Sequence, residues 1–266
     1  MEQYNVNFKK KFGQNFLRDN SVVEKIVALC DIKKDDLVIE VGPGGAILTR
    51  ELAKAAKEVL AYEVDLDLRE ELQKKLEKFS NVKVLFKDFL IADINEDLKN
   101  FSYNNIYFVS NVPYYITTPI VMKLINSGIK FKKICMMVQK EVGERFASSC
   151  GNKSYSSITV FLNSFYDVSL EFFVSRKEFV PIPNVDSVVV SFTEKKERLF
   201  LKDREFFERL VRDSFQYKRK NIKNNLKGYD LDKISEVLKE YNLDLSCRAE
   251  QISPLIFVKL ANSLVS

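Results

Sequence analysis

Apolar residues along this chain follow two periods. Over residues 21–29, Val22, Val23, Ile26, Val27 and Leu29 make a helical stripe. Asn20 or Ser21 can cap it, with Glu24 close to capping-box spacing. From residue 37 short apolar runs alternate with helical stretches. The pattern predicts strands over 37–41, 59–64, 82–86, 106–109 and 134–138, with helices over 46–56, 66–79 and 117–126 among them. Pro119 suits the first turn of the last of these helices. Further strands are expected over 160–168, 170–174 and 188–192. Strands alternating with helices imply an α/β fold: a doubly wound, mostly parallel sheet with helices on both faces. Ligands of such sheets bind at the carboxyl ends of the strands.

After Glu194 the period becomes helical throughout. Phe206, Phe207, Leu210, Val211 and Phe215 recur at three-to-four spacing, as do Ile234, Val237, Leu238 and Tyr241, then Leu255, Ile256 and Leu260. Two domains are expected. Residues 1–194 form the α/β domain together with a polar N-terminal arm containing Lys9, Lys10 and Lys11, and residues 195–266 form a small all-helical domain.

Composition narrows the chemistry. With 46% apolar residues the chain can pack a core, and no apolar run approaches a bilayer-spanning length. The first residues lack the apolar block of a secretory signal, so a soluble, cytoplasmic protein is expected. There is no histidine, which excludes Ser-His-Asp hydrolysis and histidine-metal catalysis. Cys30, Cys135, Cys150 and Cys247 form no C-x-x-C pair, so no metal site is expected. The net charge of +5 is unevenly spread: residues 1–194 carry 26 basic and 26 acidic side chains, residues 195–266 carry 16 and 11. A local positive excess of this kind attracts polyanions. Its densest part runs from Gln216 to Lys227 and includes Lys218, Arg219, Lys220 and Lys223, the candidate nucleic-acid contacts; a merely solvated surface is the rival reading.

Three strand ends carry candidate chemistry. Gly42-Pro43-Gly44-Gly45 follows the first strand of the alternating region and allows a tight turn with close approach of a ligand. Glu63, at the end of the next strand, suits a ribose diol, and Asp88, after the third, can accept from an adenine amine. Ile47 occupies the place of the third glycine of a dinucleotide fingerprint. This argues against NAD and for a phosphate-free adenosine cofactor, which S-adenosylmethionine fits. Asn111-Val112-Pro113-Tyr114 follows another strand. An exocyclic adenine amine is a poor nucleophile because its lone pair is delocalised into the ring. The Asn111 side-chain oxygen and the Val112 carbonyl, in a turn bent by Pro113, could accept its two protons, and Tyr114 could stack on the base. Phe179 opens the stretch Phe179-Val180-Pro181-Ile182-Pro183-Asn184-Val185-Asp186-Ser187 and is expected to hold the other face of an extruded base, a core position being its alternative.

With these residues in view the chain resembles the ribosomal RNA adenine N6-dimethyltransferase family, most of all its small-subunit (16S) branch. The segments that carry the resemblance are Phe12-Gly13-Gln14-Asn15-Phe16-Leu17, Glu40-Val41-Gly42-Pro43-Gly44, Glu63-Val64-Asp65, Asn111-Val112-Pro113-Tyr114-Tyr115-Ile116, the Phe179 to Ser187 stretch and Arg248-Ala249-Glu250-Gln251. The resemblance implies a Rossmann-like class I methyltransferase domain with a small C-terminal helical domain. It implies an S-adenosylmethionine site at Asn15, Leu17, Gly42, Glu63, Asp88 and Asn111, with the stretch from Gly13 to Leu17 folded over the methionine end. It also implies methylation of two adjacent adenines near the 3′ end of small-subunit ribosomal RNA or its 30S precursor, by a monomer with no membrane partner. Val112 and Tyr115 replace a commoner leucine and asparagine, and position 115 is expected to tune the pocket. The rivals are a 23S ribosomal RNA adenine methyltransferase of the macrolide-resistance type and a non-catalytic nucleic-acid-binding factor on the same fold.

Overall fold

A computed structural model describes residues 16–197 and 199–265 of the chain. In chain order its elements begin with β1 (Phe16–Leu17), α1 (Asn20–Cys30), β2 (Leu37–Val41), α2 (Ile47–Ala55), β3 (Glu58–Glu63), α3 (Arg69–Leu76) and β4 (Val82–Phe86). They continue through α4 (Ile94–Leu98), β5 (Ile106–Asn111), α5 (Thr117–Asn126), β6 (Lys133–Gln139), α6 (Lys140–Phe146), α7 (Ser157–Phe165) and β7 (Tyr166–Val174). The last are β8 (Phe179–Val180), β9 (Ser187–Glu194), α8 (Arg204–Ser214), α9 (Ile222–Asn225), α10 (Leu231–Lys239) and α11 (Pro254–Leu264).

Seven strands form one sheet in the order β4-β3-β2-β5-β6-β9-β7. The pairs from β4 to β6 are parallel, and β9 runs antiparallel to β6. Every residue of β2 is buried, as are most of β3, β5 and β6, because helices cover both faces; this is why these strands read as continuous apolar runs. On one face Val22, Val23 and Ile26 of α1 and Leu48 and Leu52 of α2 join Val38 and Val109 in a single core cluster.

The chain order reverses about β2, which lies between β3 and β5. Pairing of β2 with β5 stops at Ile39↔Phe108, although both strands run on. Beyond that point the Ser110 hydroxyl bridges the gap, donating to the Val41 carbonyl at 2.6 Å. The strand ends therefore part where the direction of winding switches, the usual place for a crevice in an open α/β sheet. A separate antiparallel pair, β1 with β8, sets Leu17 opposite Phe179.

The described residues divide into two compact units. One runs to Gly143 and resumes over Leu170–Thr193; the other comprises Glu144–Ser169 and the chain from Glu194. The second unit resumes at Glu194, next to the point where the helical period begins. The stretch 144–169, however, belongs with the C-terminal helices rather than with the sheet unit. Part of the reason is a corrected element: residues 157–165 form helix α7, where the apolar run at 160–168 suggested a strand. Its apolar residues begin with Val160, Phe161 and Leu162 in succession, and so short an apolar run does not distinguish a buried helix from a buried strand. The start is fixed by Ser156, whose N–H donates to Thr159 Oγ1 at 3.2 Å in a capping box. Within the second unit Phe161 and Phe165 pack on Phe207 of α8, ring centroids 6.4 and 5.9 Å apart. No described helix is long and apolar enough to cross a membrane.

Candidate active site

The parted strand ends open into a cavity of about 310 Å³. The Gly42 to Gly45 turn forms one wall. Gly42 has φ +75°, and its N–H donates to the Tyr62 carbonyl at 2.8 Å. A Cβ built there would lie 3.7 Å from Pro113 Cδ. The glycine is therefore needed for its left-handed backbone more than for space, and the turn after β2 meets the loop after β5 at this point.

Three carboxyl groups line the cavity. Glu63, at the end of β3, is 4% exposed. Its Oε1 accepts the Asp65 N–H at 2.9 Å and its Oε2 the Gly44 N–H at 3.4 Å. Burial raises its pKa, and these backbone donors pull the other way. Asp88 follows β4 and accepts the Leu90 N–H at 2.8 Å, which fixes the orientation of its carboxylate. Glu40, inside β2, is 1% exposed, and its Oε2 has no hydrogen-bond partner among the described residues. Burial pushes its carboxyl up to about 8; the Thr49 hydroxyl opposes that shift and the charge of Glu63 adds to it. Glu40 was not singled out in the sequence as a polar site residue. A carboxyl in the middle of an apolar strand is the signal that could have found it.

Asn111 ends β5, held opposite Met137 of β6. Val112, Pro113 and Tyr114 follow along the cavity wall, and Val112 is buried. The Tyr114 hydroxyl lies 2.7 Å from the Ser187 hydroxyl, and burial raises the pKa of the phenol. Tyr115 is 58% exposed at the cavity edge. Burial raises the pKa of its phenol, and the charges of Asp88 and Glu63 add to the shift.

The structure therefore gathers Leu17, Gly42, Glu63, Asp88, Asn111, Val112, Pro113 and Tyr114 around one cavity. Asn15 lies outside the described residues. Phe179 departs from expectation. It is 0% exposed, packed in the core cluster with Leu17 and Val174, and does not line the cavity. Pairing with β1 covers it, so its ring is not offered to a base in this structure. Lys218, Arg219, Lys220 and Lys223 are exposed in the second unit, on the turn between α8 and α9 and the start of α9 rather than on one continuous helix. Lys218 Nζ donates to the Lys153 carbonyl at 2.7 Å.

A family model described as ribosomal RNA adenine dimethylase matches residues 5–265. The ribosomal RNA small subunit methyltransferase A of Ligilactobacillus salivarius is 40% identical over 274 residues, covering 100% of this chain and 93% of that protein. The protein of the same name from Streptococcus pneumoniae is 39% identical over 273 residues, covering 99% and 94%. Among solved structures, a dimethyladenosine transferase from Plasmodium falciparum superposes with a TM-score of 0.78 at 27% identity, covering 92% of this chain and 95% of that one. The 23S rRNA methyltransferase ErmE superposes with a TM-score of 0.74 at 28% identity, covering 95% and 100%.

Proposed function

This chain belongs to the ribosomal RNA adenine dimethylase family, and from that premise we propose that it transfers methyl groups from S-adenosylmethionine to the N6 amines of two adjacent adenines near the 3′ end of small-subunit ribosomal RNA. The observation that carries this reading is the convergence on one cavity of Glu63, Asp88 and the Asn111–Tyr114 loop. The similar proteins at about 40% identity that bear a small-subunit name favour 16S over 23S RNA.

The donor set fits the cofactor. Glu63 suits the ribose diol and Asp88 the adenine amine. The buried Glu40 carboxyl, with one oxygen unpartnered, suits a positively charged ligand that would let it ionise. The left-handed turn at Gly42 lets the backbone approach the ligand closely. Leu17 adds an apolar wall, and Asn15 is the matching position outside the described residues. When bound, S-adenosylmethionine supplies a methyl group on a sulfonium, which departs as a neutral thioether.

The protein's own task is alignment. The Asn111 side-chain oxygen and the Val112 carbonyl accept the two amine protons and favour a pyramidal nitrogen with a localised lone pair. Tyr114 stacks on the base, an interaction worth about 1–3 kcal/mol. No strong base is required, in keeping with a chain that has no histidine. The second unit grips RNA phosphates through Lys218, Arg219, Lys220 and Lys223, and the chain acts as a monomer on the 30S precursor.

Primer extension on both ribosomal RNAs from cells lacking the gene tests the substrate. The expected result is loss of the methylation-dependent stop on 16S RNA alone; loss on 23S RNA instead would transfer the assignment to the other branch.

A further inference from the structure

Ser187 opens β9 opposite Gln139 of β6 and is 0% exposed, yet its hydroxyl is directed to the cavity-lining Tyr114 at 2.7 Å. Its place in the sheet is fixed by that pairing and by its neighbour. The preceding residue, Asp186, accepts the Arg176 N–H at 3.0 Å and Arg176 Nε at 3.1 Å, and its carbonyl accepts the Lys140 N–H at 2.9 Å. Tyr114, by contrast, sits in a short 3₁₀ turn, Tyr114–Ile116, between β5 and α5. Its carbonyl is secured by the Thr117 hydroxyl at 3.2 Å, and the residue lines the cavity.

A side chain in that position has two free torsions, and a tether at the para oxygen fixes the direction of the ring axis. We propose that Ser187 is a positioning residue for methyl transfer: its hydroxyl, anchored in the sheet, holds the Tyr114 ring as the platform for the target base. The inference rests on the adenine-methylation reading of the same cavity. Because the ring face itself remains when the tether is cut, the loss belongs to orientation during transfer rather than to cofactor binding.

Kinetics on undermethylated small subunits test the tether. Ser187→Ala and Tyr114→Phe each remove one partner of the bond. Each is expected to lower kcat about tenfold, the scale of one hydrogen bond, with KM for the subunit and the cofactor dissociation constant unchanged. The double variant should be no slower than the slower single one, because both cut the same bond. Ser187→Thr, which keeps the hydroxyl, should recover kcat. Wild-type kcat in Ser187→Ala, or losses that multiply in the double variant, would overturn the inference.

A readout independent of turnover separates this claim from the functional reading. In protein labelled with 3-fluorotyrosine, the Tyr114 ¹⁹F resonance, assigned with Tyr114→Phe, should shift or broaden in Ser187→Ala. An unchanged resonance overturns the tether. A shifted resonance in a protein that methylates no ribosomal RNA would leave the tether standing and defeat the functional reading instead.

Discussion

Glu40 shows what the site demands of single residues. A carboxyl group buried inside a strand, with one oxygen unpartnered, is costly to keep ionised, and its pKa is raised to about 8 from 4.5. Below pH 4.5 both folded and unfolded chains hold this proton. Between 4.5 and 8 the unfolded chain has lost it while the folded chain keeps it, so this group lowers stability as pH rises through that window. Glu40→Gln removes the titration. Calorimetry without cofactor should show the Tm advantage of the variant growing from pH 4.5 to 8; a difference that stays constant with pH would refute this. The role proposed for Asn111 concerns the chemistry rather than the stability. Asn111→Ala is expected to lower kcat by about a hundredfold or more, the scale of one lost transition-state acceptor or donor, while calorimetric cofactor binding stays largely intact. Turnover like that of the wild type would remove the proposed acceptor. Gly42, Glu63, Asp88 and Asn111 were legible because each ends a strand or begins the turn after it, and strand ends line the cleft. The position of the Phe179 ring was not legible. It depends on pairing with Leu17, 162 positions earlier in the chain, which no local pattern encodes.

At the scale of elements, the alternation of strands and helices was readable through residue 139 because each strand is short, apolar and bounded by turn residues. It failed at α7, where Val160, Phe161 and Leu162 follow one another as in a buried strand and the Ser156 cap is the mark of a helix. The short helices α4 and α6 also escaped, since five and seven residues hold too few turns for a clear stripe. α6 makes a testable point about packing. A Cβ at Gly143 would fall 2.3 Å from Val188 Cγ1 and 2.9 Å from Val190 Cγ1 on β9. In an open helix, replacing glycine by alanine gains up to about 1 kcal/mol. Overpacking against a sheet costs about 1–3 kcal/mol, so Gly143→Ala should lower the urea midpoint. A midpoint that rises would show that β9 can give way.

For the whole molecule, the two units are not consecutive in sequence: the second takes in Glu144–Ser169 before the chain returns to the sheet. The change to helical period after Glu194 was visible, but the earlier excursion was hidden by the misread strand. The basic excess lies in the second unit, and the cavity lined by Glu63, Asp88 and Asn111 lies in the first. The most direct measurement is the number and position of labelled methyl groups transferred from S-adenosylmethionine to undermethylated small ribosomal subunits, mapped by mass spectrometry. The account predicts four groups, shared between the N6 positions of two adjacent adenines near the 3′ end of the small-subunit RNA. No transfer, or label on another base or on 23S RNA, would contradict it.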